Sequence, residues 1–281
     1  MRTAGSPFTN PGQVSGPLYA SADRLARRTS ALHRARVSGR NAAEAIADLA
    51  AAAIGTESAL VADVGCGRGT TTRLLAGRLP QARLIVVDLS AALLTVARSR
   101  LTDQRRAAVI CADFHRLPIA DARLDLVVAA FCLYHSPSPA DVITEIARCL
   151  LPGGTAIIAV KSADSYRELD HLVAASGLDA AAEDRPSLYQ AAHTGNIEPL
   201  ASTALRVEQV TSETHRFSFP TLAAAAAYLA TSPKYQLPPS LSGDPAALTA
   251  ALRQRTADEP VTATSVVTYL VATRQAADSA R

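Results

Sequence analysis

The sequence predicts an α/β protein built on a doubly wound, mostly parallel sheet. Short, nearly continuous apolar runs alternate with helical patterns through the first 161 residues, and a glycine-rich turn follows the first such run. With 281 residues and 48% apolar content, the chain is long enough to bury a large core.

In chain order, residues 1–17 are rich in Gly, Pro and Ser and lack periodicity, which predicts a flexible arm. Helical patterns from Tyr19 to Arg36 and from Asn41 to Ala53 give N-terminal helices over residues 18–55 that cover the site. Ala59–Val64 reads as a buried strand, Thr70–Leu79 as a helix stopped by Pro80, and Arg83–Val87 as the second strand. Ser90–Leu101 is a helix with Ser90 as its N-cap, and Ala107–Cys111 and Leu124–Ala130 are strands. Pro139–Leu150 is a helix closed by Pro152-Gly153-Gly154, before a fifth strand at Thr155–Val160. Residues 56–161 thus form the first part of the core, and the alternation favours right-handed crossovers.

Past Lys161 the rhythm breaks. Helical patterns at Tyr166–Ser176 and Ser187–Leu200 suit a cap over residues 162–203 that shapes the substrate side. The core resumes over residues 204–275, with a strand at Leu205–Phe219 and helices at Leu222–Leu229 and Ala246–Arg255. The β-branched Thr264–Thr273 is the final strand.

Composition excludes several classes. The net charge of +3 carries no basic run for a polyanion, so no nucleic-acid partner is expected. Cys66, Cys111, Cys132 and Cys149 are widely spaced, which argues against a zinc site or a disulfide framework. The N-terminus lacks a secretory apolar core, and no run of about 18 apolar residues could span a bilayer. A cytoplasmic monomer or homodimer without metal or membrane association is expected.

The informative segment is Val61–Thr72 (VADVGCGRGTTT), followed by VVDLS at Val86–Ser90. Asp63 ends a strand, and Gly65, Gly67 and Gly69 then bring bare backbone to the carboxyl edge of the sheet. Asp88 ends the second strand, where a carboxylate can accept both hydroxyls of a ribose. Asp113 follows the third strand, placed for an adenine amino group, with Phe114 beside the ring. Together these positions describe a site for an adenosine. The third glycine comes two positions after the second, which disfavours a dinucleotide pyrophosphate site and hence a nicotinamide-dependent oxidoreductase. No Gly-Lys-Ser/Thr is present for a triphosphate.

The loop resembles the acid-x-G-x-G-x-G signature of class I S-adenosylmethionine-dependent methyltransferases. Asp113–Pro118, Arg123–Val127 and the Arg148–Gly154 segment (RCLLPGG) are also similar to stretches of that family, above all its small-molecule, type 11 branch. The resemblance covers residues 40–161 well and the C-terminal third in outline. It implies a seven-stranded sheet of order 3-2-1-4-5-7-6 with an antiparallel seventh strand, Thr264–Thr273, and a structural role for Asp125. It also implies S-adenosylmethionine as cofactor, with Cys66, Leu89 and Phe131 lining its site. Tyr19 would cover the sulfonium and Arg40 would pair with the cofactor carboxylate, with Arg24 and Arg28 competing for that pairing.

The implied activity is methyl transfer to an oxygen, nitrogen or carbon of a small-molecule acceptor, a secondary metabolite. The alternative keeps the cofactor site in a cyclase or regulator that transfers no methyl. His135, just past the fourth strand, is the candidate general base, ahead of His115, His193 and His215. In the cap region and beyond, Tyr166, Tyr189, Tyr228 and Tyr235 are candidates for the acceptor pocket wall.

Overall fold

The computed structural model describes residues 6–14, 16–55, 58–101 and 104–275. A 3-10 turn (Pro7–Thr9) and a short helix α1 (Pro11–Val14) lead to α2 (Ala22–Ala35), β1 (Arg36–Ser38) and α3 (Ala42–Ile54). The alternating half follows as β2 (Leu60–Val64), α4 (Thr70–Arg78), β3 (Arg83–Asp88), α5 (Ala91–Ser99) and β4 (Ala107–Cys111). It continues through β5 (Leu124–Ala130), α6 (Pro139–Cys149) and β6 (Leu150–Lys161). The last part comprises α7 (Arg167–Ala175), α8 (Ile197–Ala201), β7 (Arg206–Phe219), α9 (Leu222–Leu229), α10 (Pro245–Arg253) and β8 (Val261–Thr273).

The sheet order is β4-β3-β2-β5-β6-β8-β7-β1. From β4 to β6 all pairs are parallel, and β8 runs antiparallel between β6 and β7. This is the expected order with one addition, the eighth strand β1 on the edge beside β7. At three residues, with Val37 66% exposed, β1 is too short to leave a period in the sequence.

Strand alternation sorts the core into two layers. On β5, Leu126 and Val128 join Ile46, Leu75, Leu94 and Ala97 of α3, α4 and α5. Val127 and Ala129 face the other way, toward α6, the cap and α9. Burial on both faces explains why β5 is apolar at every position but Asp125. Each fully buried Leu, Ile or Val contributes roughly 1.5–3 kcal/mol. Asp125 is half-buried. Its Oδ2 accepts the Leu60 N–H at 2.8 Å and fixes the start of β2.

The chain departs from its sequence pattern in three further places. Residues 1–5 and 15 of the expected flexible arm lie outside the described residues, but from Ser6 the arm is packed, with Phe8 only 2% exposed. The first long helix begins at Ala22 rather than Tyr19, because Leu18 and Tyr19 close a turn onto Gln13 and Gly16. Ser187–Leu200 is not one helix. The Asn196 side chain accepts the His193 N–H at 2.7 Å, and this turn confines regular helix to Ile197–Ala201. No helix among the described residues is long and apolar enough to cross a membrane.

Candidate active site

The chain runs from β2 to β3 to β4 on one side and then crosses to β5 on the other, so β2 and β5 form the switch point of the sheet. A cavity of about 700 Å3 opens there. Gly65, Cys66, Gly67, Asp88, Leu89, Ala112 and Phe114 line one end of it. Tyr19, Phe131 and His135 stand midway, and Lys161, Tyr166, Tyr189 and Phe217 line the far end.

The glycine loop has local causes. Gly65 has φ +66°, and a Cβ there would sit 2.4 Å from the Cys132 side chain. Gly69 has φ +71°, and its Cβ would fall 2.8 Å from Ala97 of α5. Both glycines are therefore required by packing against neighbouring elements, and Gly69 does not reach the cavity. Gly67, with φ +56°, faces the cavity and donates its N–H to Asp88 Oδ2 at 2.8 Å. Asp88 Oδ1 accepts the Ser90 N–H at 2.8 Å, and burial raises the carboxyl pKa. The Ser90 side chain caps α5 and donates to the Tyr19 carbonyl at 2.8 Å, tying the N-terminal segment down over the cavity.

Asp63 lies beneath the loop rather than in the cavity wall. It is 1% exposed; its Oδ2 accepts the Thr72 hydroxyl at 2.5 Å, while Oδ1 has no partner. Burial pushes its pKa up to about 6, against the hydrogen bond from Thr72.

Besides Asp63 and Gly69, two further expected positions are not brought to the cavity. Arg40 is exposed and pairs with Asp48 at 2.8 Å, because it follows the edge strand β1 and is carried to the outer surface. Arg28 lines the cavity instead. Its Nη2 donates to the Thr231 carbonyl at 2.6 Å, and its Nε is buried without a partner. Arg24 bonds the same carbonyl at 3.0 Å but stays outside. Asp113 is likewise absent from the wall. Its Oδ1 captures the His115 N–H at 2.9 Å and Nδ1 at 2.7 Å, closing a local turn. His115 in turn bonds Ser136 at 2.8 Å.

His135 reaches the cavity, but both its ring nitrogens are engaged. Nδ1 faces the Phe8 carbonyl at 3.3 Å and can only donate to it, which leaves Nε2 to accept the Tyr19 hydroxyl at 2.9 Å. Burial pushes its pKa down to about 3 and that of Tyr19 up to about 12, so both are neutral at physiological pH. Phe8 packs on His135, with ring centroids 4.5 Å apart, and on Tyr134 at 5.5 Å. The arrangement is a closed brace; the imidazole has no lone pair open to an acceptor.

Among the tyrosine candidates, Tyr166 and Tyr189 line the cavity. Tyr228 packs behind Tyr166, and Tyr235 donates to Asp170 at 2.9 Å. His215 lines the far end, whereas His193 does not. Sequence reasoning passed over Phe8 and Lys161. The signal for Lys161 was its place at the tip of the fifth strand, in the row of ligand-facing strand ends. Among the described residues, no group of three or more His, Cys, Asp or Glu could hold a metal.

Comparison with known proteins agrees with this geometry. Residues 62–158 match the methyltransferase domain family. The matched stretch runs from β2 into β6 and contains the glycine loop. The sheet order is that of the class I, S-adenosylmethionine-dependent type expected from the glycine loop. The chain is 34% identical over 110 residues to a malonyl-[acyl-carrier protein] O-methyltransferase of Marinomonas sp. (strain MWYL1), covering 39% of this chain and 41% of that protein. It is 38% identical over 133 residues to a trans-aconitate 2-methyltransferase of Methylobacterium radiotolerans, covering 46% and 49%. The chain thus matches less than half the length of either relative. A solved structure from Bacillus halodurans C-125, assigned as a methyltransferase, shares the fold with a TM-score of 0.58 at 16% identity. It covers 82% of this chain and 99% of its own.

Proposed function

We propose that this chain transfers a methyl group from S-adenosylmethionine to a small-molecule acceptor. The observation that carries the reading is the single cavity at the switch point, which joins the Gly67–Asp88 end to an aromatic chamber beneath the cap. Within it the bound cofactor supplies an already activated methyl group.

The residues present suit that cofactor. Asp88 keeps acceptor capacity on both oxygens for ribose hydroxyls, and Leu89 and Phe114 offer apolar faces to a nucleobase. The orphaned Nε of Arg28 suits a carboxylate. Asp113, committed to His115, is not assigned to the adenine amino group, and Arg40 is not assigned to the carboxylate.

What the protein contributes to the reaction is alignment and dryness. Phe8, Tyr19 and His135 pack together over the cavity, and Phe131 lines it beside Lys161. Holding two reactants in line supplies roughly 7–11 kcal/mol in favourable cases, without a general base. His135 acts here as a positioning residue for Tyr19. Titration calorimetry with S-adenosylhomocysteine and with NADH tests the cofactor: the first binds and the second does not. Transfer of a radiolabelled methyl to an acceptor panel separates a methyltransferase from a cyclase or regulator with the same site, which would bind the cofactor and label nothing.

A further inference from the structure

The far end of the cavity holds an unusual group. Lys161, at the tip of β6, carries its amine into a cage of three aromatic rings. Nζ lies 5.7 Å from the Phe131 centroid, 4.8 Å from Tyr166 and 5.4 Å from Tyr189. It donates to the Tyr166 hydroxyl at 2.8 Å and has no carboxylate partner among the described residues. An ammonium has three protons to donate, so this one is built with capacity to spare.

Two of the cage residues are held by backbone conformations that side chains seldom adopt. Phe131 has φ +57° and Tyr166 φ +66°. Strain of this kind costs of order 1–3 kcal/mol, and it persists where the surrounding structure insists on a side chain's direction. The Tyr166 N–H donates to the Thr264 carbonyl at 2.7 Å, and the Lys161 carbonyl accepts the Thr194 N–H at 3.1 Å. The cap and the last strand therefore pin both partners of the Lys161–Tyr166 pair.

The charged groups around it are cationic, Arg28 and Arg36, and burial lowers the pKa of both nearby histidines, His33 and His215. Arg28 and His33 of α2 and Arg36 of β1 line the same cavity, as does His215 of β7, with the polar Ser265 of β8 beside them. Glu213 of β7 lies 3.5 Å from His215 but is not part of the wall. Among the described residues Asp88, at the opposite end, is the only acid lining the cavity. Burial, with help from the Arg28 charge, pushes the Lys161 pKa down to about 7, so the amine can gain a proton when an anion arrives.

We propose that Lys161 is the anchor of the acceptor chamber and that the acceptor it selects carries a carboxylate. The proposal deepens the methyltransferase reading and rests on it. A carboxylate would complete the open donors of the amine, and apolar groups beside it would pack on the Phe131, Tyr166 and Tyr189 rings. A neutral amine serving as base toward a hydroxyl acceptor is the competing role, and it gives no preference for acids.

The test uses the full chain saturated with S-adenosylhomocysteine, titrated calorimetrically with benzoate, trans-cinnamate and hexanoate and with the amide of each. At least one acid binds ten-fold or more tighter than its amide. At pH 8 that binding takes up about one proton, read from the dependence of the heat on the buffer's ionisation enthalpy. Lys161→Met brings acid and amide within about twofold and abolishes the proton uptake, while S-adenosylhomocysteine affinity is retained. Lys161→Gln, which keeps a polar tip without the charge, also brings acid and amide together and serves as a second variant should Lys161→Met fold poorly. No acid binding better than its amide in the wild type, or a preference that survives Lys161→Met, overturns the proposal. Failure of S-adenosylhomocysteine itself to bind overturns the cofactor reading instead.

Discussion

At Asp88 each carboxylate oxygen already holds one backbone N–H, from Gly67 and from Ser90, and each can take a further donor. Asp88→Ala removes the proposed ribose partner and frees the loop N–H at once. The affinity for S-adenosylhomocysteine should fall by about 1–3 kcal/mol, roughly 5- to 150-fold, in calorimetry on protein whose circular dichroism is unchanged. Full affinity in that variant would remove Asp88 from the cofactor site. His135 presents the opposite case. Its Nε2 is spent on Tyr19 and its ring is neutral down to about pH 3. In His135→Ala the shape of the pH–rate profile between pH 6 and 8 should therefore match wild type, although stability falls by about 1–3 kcal/mol with the Tyr19 hydroxyl left unpaired. A profile that loses an ionisation near neutrality would restore the imidazole as a base. These two residues also mark what a sequence can convey about a site. Asp88 was legible because a strand end fixes where its side chain goes. Arg40 and Asp113 were misplaced because their directions depend on an edge strand and on a local His115 turn.

The elements divide in the same way. Strands β2, β3 and β5 are largely buried on both faces, so their apolar runs announced them nearly to the residue. The turn at Pro7–Thr9 could not be announced, since its order comes from partners far along the chain. Phe8 stacks on Tyr134 and His135, meets Tyr189 at 6.2 Å, and lies under the Arg28 guanidinium at 5.6 Å. Because its ring partners Tyr134, His135 and Tyr189 stand around the cavity, the segment can lift as a unit while the sheet stays formed. Phe8→Ala should therefore act locally. Amide exchange at Thr9, Val14, Leu18 and Tyr19 is expected to accelerate at least ten-fold, whereas β2 and β5 amides keep wild-type rates. Equal acceleration everywhere would mean that Phe8 supports the whole fold rather than this cover.

Across the whole molecule, the cavity concentrates buried ionisable groups, and their linkage shapes stability against pH. Asp63 keeps its proton to about pH 6 when folded but loses it near pH 4 when unfolded, so stability falls as pH rises between those values. His135 does the reverse: the unfolded ring is protonated below about pH 6.5 and the folded one only near pH 3, so stability rises through that window. The two oppose each other over roughly pH 4–6. Lys161 stands apart. Folded, it is protonated only below about pH 7, whereas unfolded it stays charged to about pH 10.4. Above pH 7 the unfolded state thus binds more protons, and stability should climb by about 2 kcal/mol from pH 7 to pH 9. Below pH 7 both states are protonated, and the folded protein bears the full cost of a buried, unpaired charge. Urea unfolding at pH 7, 8 and 9 measures the slope. Lys161→Met should flatten it and unfold at higher urea than wild type at pH 7, because the variant buries no charge. A slope that survives the substitution would assign the pH dependence to other groups and leave the amine as an ordinary ammonium.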